Sequence, residues 1–289
     1  MRVLMVGASG RYAHHVLPEL KKRGVKVRAL VRNRESERKA REYGADETAL
    51  GDLQEARGLI SASVGVDAVF YIGPAFAPRE SDMGVIMVDA AKAAGVSKFV
   101  FSSVMHPSIS KMTNHAAKRP VEEAIYESGM TFAILQPAIF MQTMEAGWNE
   151  IIRSGKFALP YSRRVKTCYV DYRDVAAVAA EAFVTDKFDN GTYELCAPGM
   201  FSRSEIAALM SEALEIRVDA GEMSFDAWAD KAHISEGPVR AGLKRMYADY
   251  NQYGFRGGNP TVLKCLLGHE PRTLKQFFHE LVVRNVRAA

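Results

Sequence analysis

Apolar positions along this chain follow two rhythms. Short apolar or β-branched runs recur through the first half, as RVLMVG, KVRALV, DAVFYIG, KFVFSS and TFAILQP, and their length and composition predict strands. Between them, HHVLPELKKRG, ESERKAREYG, LQEARGLISA, GVIMVDAAKAAG and KRPVEEAIYESG space apolar residues three and four apart, and most close on glycine, a usual helix terminator. Strand and helix alternating in this way predict β-α-β units, hence an α/β fold with a doubly wound parallel sheet. Pro18 falls within the first helical pattern and predicts a kink or a late start there.

From about Ile139 the rhythm changes. FMQTMEAGWNEIIRSG has helical spacing, VKTCYV and GTYELCA read as strands, and the remainder is mostly helical. Ser202 with Glu205, and Thr273 with Gln276, have the spacing of a capping box at a helix start. The expected organisation is a sheet domain over residues 1–138, with 166–198 returning to it, and a smaller, mostly helical substrate-binding region over 139–289.

Composition narrows the function classes. At 289 residues and 48% hydrophobic, the chain can bury a sizeable core. A net charge of +4 is too mild to mark a nucleic-acid binder, and no helix-turn-helix, zinc or aromatic-basic signature accompanies it. The basic run KKRGVKVR reads as a solvated helix end and the edge of the next strand. Cys168, Cys196 and Cys265 are far apart in sequence and show no C-x-x-C spacing, so they suggest reduced packing residues and no metal site. The first apolar run is too short for a signal peptide, and no stretch approaches the length of a membrane span. A cytoplasmic protein without membrane or nucleic-acid partners is expected; a homodimer is left open.

The sharpest motif is VLMVGASGRYAHHVL. It sets Gly7, Gly10 and Ala13 in a G-x-x-G-x-x-A spacing between the first strand and the first helix, with Ser9, Arg11 and Tyr12 in the turn. Small residues let the backbone approach a pyrophosphate, and the helix N-terminus supplies partial positive charge. This is the context of a Rossmann dinucleotide fingerprint. After the second strand, where NAD-binding proteins carry a carboxylate for the ribose 2′-hydroxyl, ALVRN has Arg32, followed by Arg34. A guanidinium pairs with a 2′-phosphate that a carboxylate would repel, so NADP(H) is the expected cofactor, with Arg11 able to reinforce the preference. Asp52, in GDL after the third strand, either touches the adenine edge or caps the next helix. Gly73 and Pro74 end the fourth strand and should let the backbone pass close to the cofactor.

These segments, together with FVFSS, HAAKRPVEEAIYESGMTFAILQPAIFMQ, YVDYRDVA and GNPTVLKCLLGHEPRTLKQF, resemble the NmrA-like family of atypical short-chain dehydrogenase/reductases nearly end to end. The resemblance implies an NADP(H)-preferring Rossmann domain with a smaller substrate domain and an active cleft between them. Some members reduce quinones, azo compounds or phenolic ethers, and others bind dinucleotide as redox sensors.

One departure matters. The wider superfamily uses a Tyr-x-x-x-Lys pair, whereas this chain has Lys118 with Asn114 four residues upstream. A carboxamide is no acid at a useful pH, so Lys118 is expected to hold the nicotinamide ribose and stabilise developing negative charge, while the proton comes from solvent or from His106 or His115. Ser103 occupies about the place of the superfamily's substrate-polarising serine. Tyr71, Phe76, Met105, Met112, Phe140, Met141 and Trp148 are candidates to wall an apolar pocket, of which such stripes are more often core. The expected activity is NADPH-dependent reduction of a small aromatic acceptor, a quinone or azo compound; the alternative is a non-catalytic NADP(H) sensor.

Overall fold

The computed structural model describes residues 1–288, with side chains through residue 284. Seven parallel strands form one sheet: β1 (Arg2–Val6), β2 (Lys26–Val31), β3 (Glu47–Leu50), β4 (Ala68–Tyr71), β5 (Lys98–Ser102), β6 (Thr131–Pro137) and, from later in the chain, β11 (Gly191–Leu195). Their spatial order is β11-β6-β5-β4-β1-β2-β3. Helices α1 (Ala13–Lys22), α2 (Arg34–Glu42), α3 (Ala56–Ser63), α4 (Glu80–Ala93) and α6 (Arg119–Glu127) make the crossovers, joined by a four-residue helix α5 (Thr113–Ala116). The chain builds outward from β1 through β2 to β3, then returns to lay β4 against the other side of β1. That reversal places the topological switch point between the carboxyl ends of β1 and β4, where open α/β sheets bind ligands.

Central strands are buried on both faces, which is why their sequences read as unbroken apolar runs rather than alternating ones. Tyr71, Phe99, Phe101, Leu4 and Val6 form one core with Met87, Val88, Val121 and Ile125 of α4 and α6. The two helices approach closely because position 84 carries no side chain: a Cβ on Gly84 would meet Val121 Cγ2 at 2.3 Å.

Two expectations are refined here. Helix α1 runs unbroken through Pro18 from Ala13, so there is no late start. The helical pattern read from Lys118 in KRPVEEAIYESG starts at Arg119 instead, and TNHA before it forms a separate short helix, the two parted at Ala117 and Lys118. Pro120 accounts for the break: it lacks the N–H that would bond to the Ala116 carbonyl, and its ring crowds that carbonyl. Pro120 is instead accommodated in the first turn of α6.

The chain divides into two compact units, the first comprising residues 1–110, 114–137 and 175–194, and the second 111–113, 138–174 and 195–289. The second unit contains β7 (Ile139–Phe140), a 3-10 turn over Met141–Gly147, α7 (Trp148–Ser154), β8 (Lys156–Leu159), β9 (Lys166–Thr167), β10 (Tyr169–Val170), β12 (Phe201–Ser202), α9 (Arg203–Leu214), β13 (Asp219–Glu222), α10 (Phe225–Lys231), α11 (Pro238–Tyr253), α12 (Thr261–Leu267) and α13 (Leu274–Ala288). Helix α8 (Tyr172–Glu181) carries the chain from this unit back to the first. Both predicted capping boxes form, at Ser202 and at Thr273. Within YVDYRDVA the two aspartates are fully buried ties: Asp171 accepts from Arg173 and Gln142, and Asp174 from Arg272. Among the described residues, no helix is long and apolar enough to cross a membrane, and no cluster of His, Cys, Asp and Glu could hold a metal ion.

Candidate functional site

At the switch point, β1 ends in the turn Gly7 to Tyr12, closed by Gly10 N–H donating to the Gly7 carbonyl at 2.9 Å and Ala13 N–H to Gly10 at 3.1 Å. Gly7 has φ +83°, and a Cβ there would lie 3.0 Å from the backbone oxygen and Cβ of Ile72, just after β4. A Cβ on Gly10 would lie 3.0 Å from the Gly7 carbonyl. Glycine is therefore required at position 7 twice over, by conformation and by contact. The turn delivers the chain into α1, whose first turn has no acidic residue to compete with an anion at the positive end of the helix. A bare-backbone turn followed by such an N-terminus fits a dinucleotide pyrophosphate. Ser9 and Tyr12 are half-buried along it, and the exposed Arg11 guanidinium lies 5.6 Å from the Tyr12 ring centre.

Beyond β2 the chain is pinned by a capping box in which Asn33 and Ser36 satisfy one another's backbone. Arg32 and Arg34 flank Asn33, both exposed, and neither guanidinium has an ion-pair partner among the described residues. Such cations are available to an anionic ligand. Asp52 spends one carboxylate oxygen on the backbone N–H of Gln54 at 2.9 Å, an Asx turn ahead of α3 rather than a cap on it. Gly73 and the exposed Pro74 follow β4, and a side chain on Gly73 would press on the Tyr71 ring and hydroxyl at 3.2–3.3 Å.

Deeper in the same unit lies a buried polar node. Lys118, only 7% exposed at the N-cap of α6, donates from Nζ to Oε1 of Glu80, itself 5% exposed in the first turn of α4. The other Glu80 oxygen accepts the Phe76 backbone N–H at 2.7 Å. Phe76 has φ +64°, an uncommon conformation for a bulky residue that the carboxylate helps to hold. Close by, Ser103 donates its hydroxyl to a second buried carboxylate, Glu122, at 2.5 Å, and Gln136 donates to the same oxygen at 2.9 Å. A serine has one O–H to give, and here it goes to Glu122. Burial, followed by the charge of Glu80, pushes the Tyr71 phenol far above its ordinary pKa.

The two histidines differ. His115 is buried, with Nδ1 at 3.2 Å from the His106 carbonyl, and burial lowers its pKa to about 4 against the opposing pull of backbone hydrogen bonds to His106 and Met105. It is neutral near pH 7. His106 is half-buried with φ +60°, its imidazole 3.6 Å from the Glu194 carboxylate. Asn114 lies on α5, which ends before Lys118, so the two do not share one helix.

The apolar candidates scatter. Tyr71 packs on Phe101 and Phe99, with ring centres 5.6 and 6.2 Å apart; Met105 and Met112 are buried; Phe76 is half-buried. In the second unit Phe140 meets Tyr172 edge-on at 4.7 Å. Trp148 is stacked on Phe278 at 5.8 Å inside the hydrophobic core that also contains Met141. Cys168 and Cys196 are buried neighbours whose mutual hydrogen bond, with burial, keeps the Cys168 thiol protonated, and Cys265 is exposed.

Sequence reasoning missed Glu80, Glu122, Gln136 and Gly84. An acidic residue at a helix start reads as a dipole partner, and nothing local distinguishes one that is buried. Only the pairing of α4 with α6 brings Glu80 to Lys118.

Comparison with known proteins bears on this geometry. The NmrA-like family profile matches residues 1–277. An NAD(P)H azoreductase of Xenophilus azovorans is 33% identical over 220 residues, 73% of this chain and 73% of its own length. Among solved structures, the NADPH-dependent quinone oxidoreductase of Escherichia coli complexed with NADPH has a TM-score of 0.83 at 21% identity, covering 97% of this chain and 99% of its own. A Citrobacter triphenylmethane reductase complexed with NADP(H) has a TM-score of 0.84 at 21% identity, covering 96% and 99%. At such identity the two structures speak for the fold alone.

Proposed function

The chain belongs to the NmrA-like family, and from that premise we propose that it is an NADPH-dependent reductase of a small aromatic acceptor, a quinone or an azo compound. The observation that carries the reading is the glycine turn at the β1–β4 switch point, leading into α1, with two exposed arginines following β2. The turn and the α1 N-terminus receive the pyrophosphate. Arg32, reinforced by Arg34 and Arg11, pairs with the 2′-phosphate and sets the preference for NADP(H) over NAD(H).

Bound cofactor would supply a hydride, and the rest of the chemistry falls to the chain. Lys118 provides a buried cation at the carboxyl end of the sheet, where it holds the nicotinamide ribose and stabilises negative charge arising on the acceptor. The proton is harder to find. Asn114 is no acid, Ser103 gives its one hydrogen to Glu122, and His115 is neutral with a pKa near 4. Solvent, or the half-buried His106, remains. Acceptors whose reduction leaves charge on a heteroatom that water can protonate suit such a site, and the azoreductase relative supports the same class. Ser103 then acts as a support for Glu122 rather than on substrate; Phe76, half-buried on the loop after β4, is the aromatic surface offered to a planar acceptor.

Mixing the purified chain with NADPH and a panel of quinones and azo dyes tests the reading. Loss of reduced-nicotinamide absorbance above background, faster with NADPH than NADH, is expected; none across the panel would remove the enzymatic assignment. The shortage of proton donors favours a second reading, a non-catalytic NADP(H) sensor, which predicts tight cofactor binding without turnover of any acceptor.

A further inference from the structure

Buried charges are ordinarily matched by a charge of opposite sign, and Arg203 is an exception. It opens α9 in the second unit at 1% exposure, with its guanidinium 4.4 Å from the Tyr161 ring centre. Nη1 donates to the carbonyls of Leu159 and Gly221 at 3.2 and 2.6 Å, and Nη2 to that of Tyr161 at 2.9 Å. The Nε–H has no hydrogen-bond partner, and no carboxylate forms an ion pair with this guanidinium among the described residues. Carbonyl dipoles satisfy most of its N–H groups but leave its full charge uncancelled.

Gly221 also belongs to the wall of a surface pocket of about 510 Å³, lined by Ser162, Arg163, Arg164, Ala220, Gly221 and Glu222. The loop that carries the two arginines is fixed through its backbone. Ser162 N–H donates to Asn251 at 2.7 Å, Arg163 N–H to Glu222 at 2.7 Å and Arg164 N–H to the Ser162 hydroxyl at 3.3 Å, while the Arg163 carbonyl accepts the Arg203 N–H at 3.2 Å. Their side chains are exposed, and neither guanidinium has an ion-pair partner among the described residues. A held backbone thus presents two unpaired cations at a pocket whose wall is bonded to a third.

We propose that this pocket is an oxyanion site that takes the dianionic phosphate of a small phosphate monoester. Arg163 and Arg164 grip the phosphate oxygens, the Ser162 hydroxyl has its own hydrogen to donate, and Arg203 adds its charge through the low-dielectric wall. Three guanidiniums against the one carboxylate of Glu222 leave two positive charges, which a dianion balances and a carboxylate or sulfonate does not. The volume lies in the range of small-molecule sites and leaves room for the organic part of an ester.

Calorimetry at pH 8 with glycerol 3-phosphate, inorganic phosphate and acetate tests the site. Saturable binding of both phosphates is expected, tighter for the ester, with none for acetate at equal ionic strength. In the double variant Arg163→Ala, Arg164→Ala, which loses only exposed side chains, affinity for glycerol 3-phosphate should fall about tenfold or more, the equivalent of one charge-assisted contact. Arg38→Ala with Arg41→Ala removes the same net charge from exposed positions on α2 and should leave that affinity unchanged. Glycerol 3-phosphate should also raise the urea midpoint of the unsubstituted chain and not that of the Arg163, Arg164 variant. Absence of saturable binding, equal binding by that variant, an equal loss in the α2 variant, or acetate binding as tightly as phosphate would overturn the site. Inorganic phosphate binding as tightly as the ester would overturn the monoester. None of these outcomes bears on the cofactor assignment, which concerns other residues.

Discussion

The cations at the two ends of the proposed site are held in opposite ways. Arg32 and Arg34 stand exposed after β2 without ion-pair partners among the described residues, whereas Lys118 is buried on a carboxylate that also fixes the Phe76 loop. The first arrangement costs the fold almost nothing and leaves its charge open to an anionic ligand. The second is part of the fold, since neither member of a buried pair can be removed without stranding the other. Affinity and stability should therefore separate along the site: substitutions at the arginine end change which cofactor binds, and substitutions at the lysine end change whether the domain holds together.

The largest effect is expected at the lysine end. Lys118→Met leaves Glu80 buried and unpaired and should cost about 3–5 kcal/mol in urea unfolding. Adding Glu80→Gln should recover much of that loss, because the orphaned charge goes with it; additive losses in the double variant would mean that the two side chains are not coupled. The same node depends on pH through His115. Its folded pKa, near 4, lies below the unfolded value near 6.5, so the unfolded chain binds the proton more readily and stability declines as pH falls through that window. At pH 4 the deficit from this one group approaches about 3 kcal/mol. Unfolding midpoints followed from pH 7 to pH 4 should fall less steeply in His115→Gln, and parallel curves would refute the assignment.

A smaller effect is expected one turn below the ion pair. Gly84→Ala drives a methyl group into Val121 and should cost about 1–3 kcal/mol by forcing α4 from α6. Val121→Ala in the same chain should restore part of it. A Gly84→Ala protein as stable as the parent would show that the two helices have slack, and with it that Glu80 and Lys118 are less firmly set than their burial implies.

How much of this was legible beforehand follows from where the information lies. The parallel sheet was readable because DAVFYIG or KFVFSS is an apolar run buried on both faces, a local property. The glycine turn was readable because its demands fall on adjacent residues. Strands β8 and β13 were not: each has four residues, and Gly221 contributes to the pair through its missing side chain, which lets Ala158 lie against it. That Pro120 parts α5 from α6 at Lys118 was not readable, because the carbonyl its ring crowds belongs to the preceding turn. What a side chain is bonded to was least visible. Ser103 finds Glu122 across 19 residues, Lys118 finds Glu80 across 38, and Trp148 is stacked on Phe278, far along the chain. Residue type told which groups could do chemistry, and only the packing told which of them were already engaged.

The arginine end offers the smallest effect on the fold and the cleanest separation. Arg32→Asp replaces an exposed, unpaired cation, so its unfolding midpoint should stay within about 0.5 kcal/mol of the parent. Binding should respond differently: NADPH should weaken by about 1–3 kcal/mol, the worth of a charge-assisted contact now turned repulsive, while NADH should change little or improve as the carboxylate meets the ribose 2′-hydroxyl. Calorimetry with both cofactors on both proteins reads the difference directly. Equal losses for NADPH and NADH would place Arg32 away from the 2′-phosphate, and a fall in stability would mean that this end of the site, like the lysine end, is holding the domain together.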